Sequence, residues 1–242
     1  MLAKKAGVEL EEVSDTYNKD EAKKRREEKE NLYDLYSRLS NTFHYLLLNS
    51  KEGEKAREYL KKRNVSSEMI ELFQLGYAPS NKDWLYSFLS GKGYSPTFLN
   101  QSGLFSQKSD KWPLFRGRLM FPIRDRQGRT IAFSGRDLTG DERAPKYINS
   151  PETTIYQKKE NYFGLYEAKN TIAEGKIGPI LCEGNFDVVA MHQAGYTSAI
   201  ASLGTSFTNE QCANIKKWYP NNQVFNILFD SDAAGQKSTE RA

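Results

Sequence analysis

The spacing of apolar residues predicts helices in the first part of the chain. Between residues 32 and 47, apolar side chains recur at steps of three and four, as on one face of an amphipathic helix. Shorter helices are predicted at 53–63, 67–73, 84–89 and 95–102. Residues 1–31 are dense in charge of both signs, which indicates a solvated helix or a linker.

The pattern becomes that of β-strands in the middle of the chain. Residues 118–123 (RLMFPI) and 130–136 (TIAFSGR) are rich in β-branched, aromatic and other apolar residues. Asp125 to Gly128 have the composition of a turn between them. We therefore expect a hairpin here.

Strands alternate with short helices in the last third of the chain. Strands are predicted at 179–182, 198–201 and 224–229, the last as a buried strand because of its apolar content. Helices are predicted from Phe186, from Thr208 as N-cap with Gln211 three residues on, and after Asp232. Such alternation is typical of a parallel sheet, so the predicted fold class is α/β.

Three carboxylates follow two of these strands. Glu183 comes after the first strand, and Asp230 and Asp232 come after the third. In parallel sheets, ligands bind at the carboxyl ends of the strands. The three carboxylates would lie close together there and repel one another. A bound Mg²⁺ or Mn²⁺ ion would remove the repulsion between the carboxylates. Both ions prefer oxygen ligands. The alternative for Asp-x-Asp alone is a loop or a helix cap.

Charge is distributed unevenly along the chain. Residues 101–160 contain twelve Lys or Arg against seven Asp or Glu, whereas residues 177–232 contain two against five. A basic region beside an acidic one suits an enzyme that binds polyanionic strands on one surface and metal ions on another. Arg116, Arg118 and Arg136 lie near strand ends or at alternating positions, so we expect them to share a face. For these residues alone, a solvated sheet face is the alternative.

The cysteines and the hydropathy indicate a cytoplasmic protein. Cys182 and Cys212 form no C-x-x-C pair, and His44 and His192 are isolated, so reduced thiols are predicted and zinc is not expected. The chain has no signal peptide and no apolar run near 18 residues, so no membrane partner is expected.

Four segments of the last third form a recognisable set: Glu183-Gly184, DVVA at 187–190, ASLGTS at 201–206 and DSDAAG at 230–235. Together they resemble the TOPRIM domain of bacterial DnaG-type primases. TOPRIM is shared with topoisomerases and some nucleases, but the ASLGTS block and the spacing are most similar to the primase branch. The resemblance implies that Glu183, Asp230 and Asp232 are the catalytic and metal-binding residues.

The resemblance continues through the basic region. REYLKKRNVSSEMIELFQLGYAPSN (57–81) is similar to a primase helix pair, with Asn64 in place of the usual glycine. The basic motif of the family is similar to two segments of this chain, PLFRGRLMFPIRDRQGR and PKYINSPET (145–153). The resemblance implies that the residues contacting template or nucleotide are Arg63, Arg116, Arg118, Arg136, Lys146 and Lys158.

The family resemblance implies three regions and a function. They are a charged tether (1–31), a mixed α+β N-terminal lobe with a basic β-sheet (32–170) and an incomplete TOPRIM domain (177–242). We expect a primase core truncated at both ends. The implied enzyme is a DNA-directed RNA polymerase that uses Mg²⁺ or Mn²⁺. Its implied partners are a single-stranded DNA template, ribonucleoside triphosphates, the RNA primer and, for the full-length protein, the replicative helicase.

Two other functions remain open at this point. One is another TOPRIM enzyme, a topoisomerase or a nuclease, although nothing in the sequence resembles the tyrosine nucleophile domain that a topoisomerase needs. The other is a truncated, non-catalytic fragment that binds nucleic acid. We expect little or no primer synthesis from this chain alone, with activity returning when its natural continuation is restored.

Overall fold

A computed structural model describes residues 13–106, 109–203, 207–221 and 224–229. The helices in these ranges are α1 (Val13–Asn49), α2 (Glu54–Lys62), α3 (Ser67–Leu72), α4 (Trp84–Gly91), α5 (Pro96–Gln101), α6 (Leu165–Glu174), α7 (Asn185–Gln193) and α8 (Asn209–Trp218). The strands are β1 (Gly76–Ala78), β2 (Phe105–Ser106), β3 (Ser109–Pro113), β4 (Arg118–Arg124), β5 (Thr130–Asp137), β6 (Tyr147–Asn149), β7 (Ile180–Cys182), β8 (Ala199–Ala201) and β9 (Asn226–Leu228).

Helix α1 runs through the predicted boundary between tether and lobe. Residues 20–31 are exposed, whereas the apolar residues from Leu32 onward are buried at the predicted helical spacing. The exposed part carries ion pairs such as Lys23 with Glu27, which add little stability in solvent. The change in sequence pattern therefore marks a change of burial within one helix.

An antiparallel sheet of order β1-β4-β5-β6 lies against α1. The predicted hairpin is confirmed as β4 and β5, and its turn is closed by the Gly128 N–H, which donates to the Asp125 carbonyl at 2.9 Å. Helix α1 approaches β1 so closely that a Cβ on Gly76 would lie 2.6 Å from the Phe43 Cβ. Glycine at this position permits that approach.

The predicted parallel sheet is confirmed, with the order β8-β7-β9. Helix α7 connects β7 to β8, and α8 lies between β8 and β9 in the chain. The predicted cap of α8 is also present. The Gln211 N–H donates to the Thr208 hydroxyl at 3.2 Å, and the Thr208 N–H donates back to the Gln211 side chain at 3.1 Å.

Strand β9 is exposed, so the prediction that residues 224–229 form a buried strand was wrong. Val224 is 64% exposed and Leu228 is 47% exposed. Among the residues described, β9 pairs only with β7 and lies at an edge of the sheet. Apolar content predicts a strand but does not distinguish a central strand from an edge strand.

The two sheets share one aromatic core. The Phe163 ring stacks on Phe73 with centroids 5.3 Å apart and meets Phe121 edge-on at 5.7 Å. Phe121 also contacts Phe186 of α7 at 5.1 Å. These rings join α3, β4 and α7 into a continuous cluster. The predicted division into a lobe at 32–170 and a domain at 177–242 stays a prediction.

Polar and titratable groups are also buried where the two sheets meet. Arg124 of β4 lies 3.3 Å from the Glu167 carboxylate of α6, and burial raises the pKa of Glu167 although Arg124 opposes the shift. Burial lowers the pKa of His192, which contacts the Ala199 carbonyl at 2.9 Å. Burial raises the pKa of the Cys182 thiol to about 12.

None of the helices in the described ranges is both long enough and apolar enough to cross a lipid bilayer.

Replacing Phe163 with alanine should destabilise the whole chain, because the ring is 1% exposed and contacts both sheets. We expect a loss of roughly 3–5 kcal/mol in the free energy of unfolding, measured by urea titration. Tyr45→Ala is the control, since Tyr45 is 64% exposed and should change this quantity by less than about 0.5 kcal/mol. A similar loss in both variants would contradict the role of Phe163.

Candidate active site

The carboxyl end of β7 presents Glu183 at a defined junction between strand and helix. Strand β7 ends at Cys182 and α7 begins at Asn185. The Gly184 N–H between them donates to the Asp187 carboxylate at 2.9 Å. An acidic side chain in the first turn of a helix also interacts favourably with the helix dipole. Glu183 is exposed on this fixed turn.

All three parallel strands end at the same edge of the sheet. The register pairs Cys182 of β7 with Ala201 of β8 and with Leu228 of β9. The chain continues from Ala201 into Ser202 and Leu203, which lie near Glu183. The Phe163 and Ala201 backbones exchange two hydrogen bonds of 3.0 Å, which tie this edge to the segment before α6.

Strands β5 and β6 present a polar face toward this edge. Their register pairs Ser134 with Asn149 and Arg136 with Tyr147. Paired residues of adjacent strands share a face, and so do residues two apart on one strand. All four side chains therefore lie on the same side of the antiparallel sheet.

A cleft of about 430 Å³ lies between the two sheets. Its walls combine the acidic edge of the parallel sheet with the polar face of β5 and β6 and with the C-terminal end of α2. The lining residues are Arg63, Ser134, Arg136, Lys146, Tyr147, Asn149, Glu183, Gly184, Asn185, Phe186, Asp187, Ser202 and Leu203. Four predicted site residues, Arg63, Arg136, Lys146 and Glu183, thus lie in one cleft.

Aromatic rings hold the two guanidinium groups of the cleft. The Arg136 Cζ lies 5.2 Å from the Tyr59 ring centroid and 5.4 Å from that of Tyr147. The Arg63 Cζ lies 5.6 Å from the Tyr59 centroid and 5.3 Å from that of Phe186. Tyr59 therefore contacts both cations, and such contacts orient guanidinium groups without neutralising them.

The cations of the cleft have charge and donors that remain available. Among the described residues, no carboxylate lies within 4.0 Å of the side-chain nitrogens of Arg63, Arg136 or Lys146 in an ion pair. The buried Nε of Arg136 has no hydrogen-bond partner within the described ranges. Burial raises the pKa of Tyr147, with Arg136 opposing the shift. The cleft is therefore suited to bind anions.

The backbone next to Arg63 accommodates the departure from the family pattern at Asn64. Asn64, which stands where the family pattern has glycine, adopts φ of 53°. This left-handed conformation favours glycine, and asparagine is among the residues that tolerate it best. The turn after α2 is therefore compatible with asparagine at this position.

Arg116 and Arg118 lie in a different groove, away from the cleft. Arg118 is 4% exposed, and its Nη1 donates to the carbonyls of Gly135 and Pro145, each at 3.0 Å. Burial lowers the pKa of Arg118, and its Nη2 lies 3.8 Å from Asp137. The expectation that Arg118 and Arg136 share a face was wrong, because the register pairs Arg118 with Asp137 and places Arg136 on the opposite side.

Arg116 and Lys158 have other surroundings. The Arg116 Cζ lies 4.2 Å from the Trp112 ring centroid. Lys158 begins the 3-10 turn Lys158–Glu160, where its N–H donates to Glu152 at 3.2 Å and its carbonyl accepts from Gln211 at 3.4 Å. Neither residue lines the cleft around Glu183. Their contacts with template or nucleotide stay predictions, as do those of the cleft residues.

The predicted metal site is only partly within the described residues. Asp230 and Asp232 lie outside them, and only Glu183 of the three predicted ligands is described. Within the described ranges, no group of three His, Cys, Asp or Glu side chains could hold a metal ion. The assignment of all three carboxylates stays a prediction.

Several residues of the cleft were missed in the sequence. Ser134, Tyr147 and Asn149 could have been found from strand periodicity, since they alternate with core positions beside Arg136. Tyr59 and Phe186 had no comparable signal, because each lies in a helix whose apolar residues all predict core packing. Their role depends on how the helices pack.

Both parts of the chain are similar to known primase or Toprim sequences. A family model described as DNA primase catalytic core, N-terminal domain, matches residues 43–169, and a Toprim-like model matches residues 180–242. The chain is 40% identical to the DNA primase of Treponema pallidum over 211 residues, which are 87% of the chain and 34% of that protein. It is 38% identical to the DNA primase of Borreliella burgdorferi over 246 residues, with 100% of the chain and 45% of that protein covered.

Solved structures of primase domains have folds similar to that of this chain. The RNA polymerase domain of Mycobacterium tuberculosis primase DnaG superposes with a TM-score of 0.79 at 32% identity, covering 88% of this chain and 70% of that one. The Aquifex aeolicus primase, with its zinc-binding and RNA polymerase domains, gives 0.78 at 34% identity, covering 100% and 55%. A DnaG primase catalytic domain bound to single-stranded DNA gives 0.75 at 35% identity, covering 89% and 68%. The chain spans 34% to 45% of the length of the curated relatives given above.

Proposed function

This chain belongs to the DnaG-type family of bacterial DNA primases, and from that premise we propose that it forms the nucleotidyl-transfer site of a DNA-dependent RNA polymerase. The product is a short RNA primer for replication, and the site works in the cytoplasm. The observation that carries the proposal is the cleft in which Glu183 lies with Arg63, Arg136 and Lys146.

The distribution of charge in the cleft fits two polyanionic substrates. A nucleoside triphosphate and a single-stranded DNA template both need cations that are not already paired with carboxylates. Arg136 and Arg63 are oriented by Tyr59, so the guanidinium groups lose little further freedom when a phosphate binds. Lys146 adds an exposed ammonium group. The proposed roles of these three residues are to bind and orient the phosphates.

The acidic edge has the donor chemistry of a Mg²⁺ or Mn²⁺ site. Glu183 is an exposed carboxylate at a strand end, and Asp230 and Asp232 follow β9 in the sequence. Hard divalent cations prefer such oxygen ligands together with water and phosphate oxygens. These three residues would hold the ion, which when bound would activate the primer 3′-hydroxyl and stabilise the leaving pyrophosphate.

The partners follow from the same proposal. They are single-stranded DNA as template, ribonucleoside triphosphates as substrates, the growing RNA primer and, in the full-length protein, the replicative helicase. Arg116 and Lys158 are proposed as further contacts to template or nucleotide. Since Arg118 is buried and bonded to two carbonyls, its proposed contribution is to hold the β4–β5 region in place for Arg116.

Replacing Arg136 or Lys146 with alanine should weaken the binding of single-stranded DNA, because each change removes from the cleft a cation that no described carboxylate pairs with. The slope of log affinity against log salt should fall by roughly 0.7 for each phosphate that the protein no longer neutralises. Fluorescence anisotropy with a labelled oligonucleotide at several salt concentrations measures both quantities. Lys176→Ala is the control, since Lys176 lies beside Glu174 outside the cleft. Unchanged affinity and slope in Arg136→Ala and Lys146→Ala would oppose the proposal.

Removing one carboxylate of the acidic edge should weaken metal binding. Glu183→Gln, Asp230→Asn and Asp232→Asn each replace a charged oxygen ligand by a neutral amide, so we expect Mn²⁺ affinity to fall by at least about tenfold. Calorimetric titration measures this affinity, with Glu174→Gln as an exposed control. If the three variants bind Mn²⁺ as tightly as the unchanged chain, the metal assignment is wrong.

Primer synthesis is the direct test of the function. The full-length natural protein that contains this chain should convert labelled ribonucleotides into short RNA on single-stranded DNA when Mg²⁺ is present. Glu183→Gln in that protein should reduce the rate by at least roughly 100-fold, as expected when charge stabilisation at a reacting centre is lost. Nucleic-acid binding without any RNA product would favour the non-catalytic alternative.

A further inference from the structure

Ser134 and Asn149 form a neutral polar pair on the floor of the cleft. They are cross-strand partners of β5 and β6, and they lie beside the pair Arg136 and Tyr147 on the same face. The next residue along β5, Gly135, packs on the other side of the sheet against Phe115. Strand alternation therefore directs Ser134 toward the cleft instead of toward the α1 side of the sheet.

The hydrogen-bonding capacity of this pair is unused by the described parts of the protein. Neither the Ser134 hydroxyl nor the Asn149 amide makes a side-chain hydrogen bond to any described residue. Their neighbour Ser150 behaves differently, since its hydroxyl accepts from the Phe133 N–H at 3.0 Å. Ser134 is 2% exposed as a residue, and it lines the cleft.

The chemistry of the pair differs from that of the adjacent cations. Arginine and lysine can only donate hydrogen bonds, which suits phosphate oxygens. A serine hydroxyl and an asparagine amide can each donate and accept, and they carry no charge. A sugar hydroxyl also donates and accepts. The cleft therefore has a cationic part for phosphates and, beside it, a neutral part whose bonding pattern matches a ribose hydroxyl.

We propose that Ser134 and Asn149 recognise the 2′-hydroxyl of the nucleotide bound in the cleft and select ribonucleotides over deoxyribonucleotides. This inference rests on the proposed function and specifies two residues that determine its substrate. A deoxyribonucleotide leaves both side chains without a partner in a partly buried site. Sites built to bond a hydroxyl reject analogues that lack it for this reason.

Calorimetric binding of ATP and of 2′-deoxyATP, each with Mn²⁺, tests the pair without requiring turnover. The unchanged chain should bind ATP about tenfold more tightly than 2′-deoxyATP, as expected for the loss of one or two hydrogen bonds at a buried site. In Asn149→Ala, and in the nearly isosteric Ser134→Ala, this preference should fall below about threefold. The affinity for 2′-deoxyATP should stay within about twofold of the unchanged chain.

Two controls separate sugar recognition from a structural effect. Asn100→Ala on α5 and Ser90→Ala on α4 remove the same chemical groups from exposed positions outside the cleft, and the preference for ATP should remain about tenfold. Circular dichroism and urea titration of the Asn149 and Ser134 variants check that both remain folded. If one variant unfolds, the other one carries the test.

Each outcome supports or overturns a defined statement. Loss of the ATP preference with unchanged 2′-deoxyATP affinity supports the inference. Equal weakening of both nucleotides shows that the pair maintains the cleft and does not read the sugar, which overturns it. Tight binding of both nucleotides without preference in the unchanged chain overturns the inference alone. Absence of any nucleotide binding by the unchanged, folded chain contradicts the proposed function as well.

Discussion

The packing of Phe163 between Phe73 and Phe121 is the interaction on which the candidate site depends. The ring is buried, and it lies where the antiparallel sheet and the parallel sheet meet. The backbone of the same residue is bonded to Ala201, so the aromatic cluster is coupled directly to the strand end beside Glu183. Because protein interiors pack densely, this cluster fixes the distance between an acidic edge and a cationic face.

The elements and the position of Glu183 could be predicted because they follow from local patterns. Hydrophobic periodicity predicted the part of α1 from residue 32 to 47, the β4–β5 hairpin and the alternation of strands and helices. Glu183 could be placed because parallel strands bring their carboxyl ends to one edge of the sheet. The solvent exposure of β9 could not be predicted from hydrophobic periodicity, because the position of a strand within its sheet depends on pairing between distant segments. The contacts of Tyr59 with Arg63 and Arg136 likewise require the packed structure.

Arg118 and Arg136 show how the register of a hairpin separates residues that look equivalent in sequence. Both belong to one basic segment, and both lie in β-strands. The pairing of Arg118 with Asp137 puts Arg118 on the α1 side, where two carbonyls and a carboxylate satisfy it. Arg136 pairs with Leu119 and faces the parallel sheet. A shift of one residue in the register would exchange these environments.

The ion pairs of the chain explain why net charge alone gives a poor description of the cleft. Among the described residues, four cations of the basic region are paired with nearby carboxylates, as in Arg129 with Asp125 at 2.7 Å and Arg143 with Asp141 at 3.1 Å. Such pairs contribute little to the field at a distance, because the opposite charges cancel. Arg136 and Lys146 form no such pair among the described residues, and both line the cleft. The local field therefore arises from a few unpaired cations between low-dielectric walls, where it attracts anions most strongly.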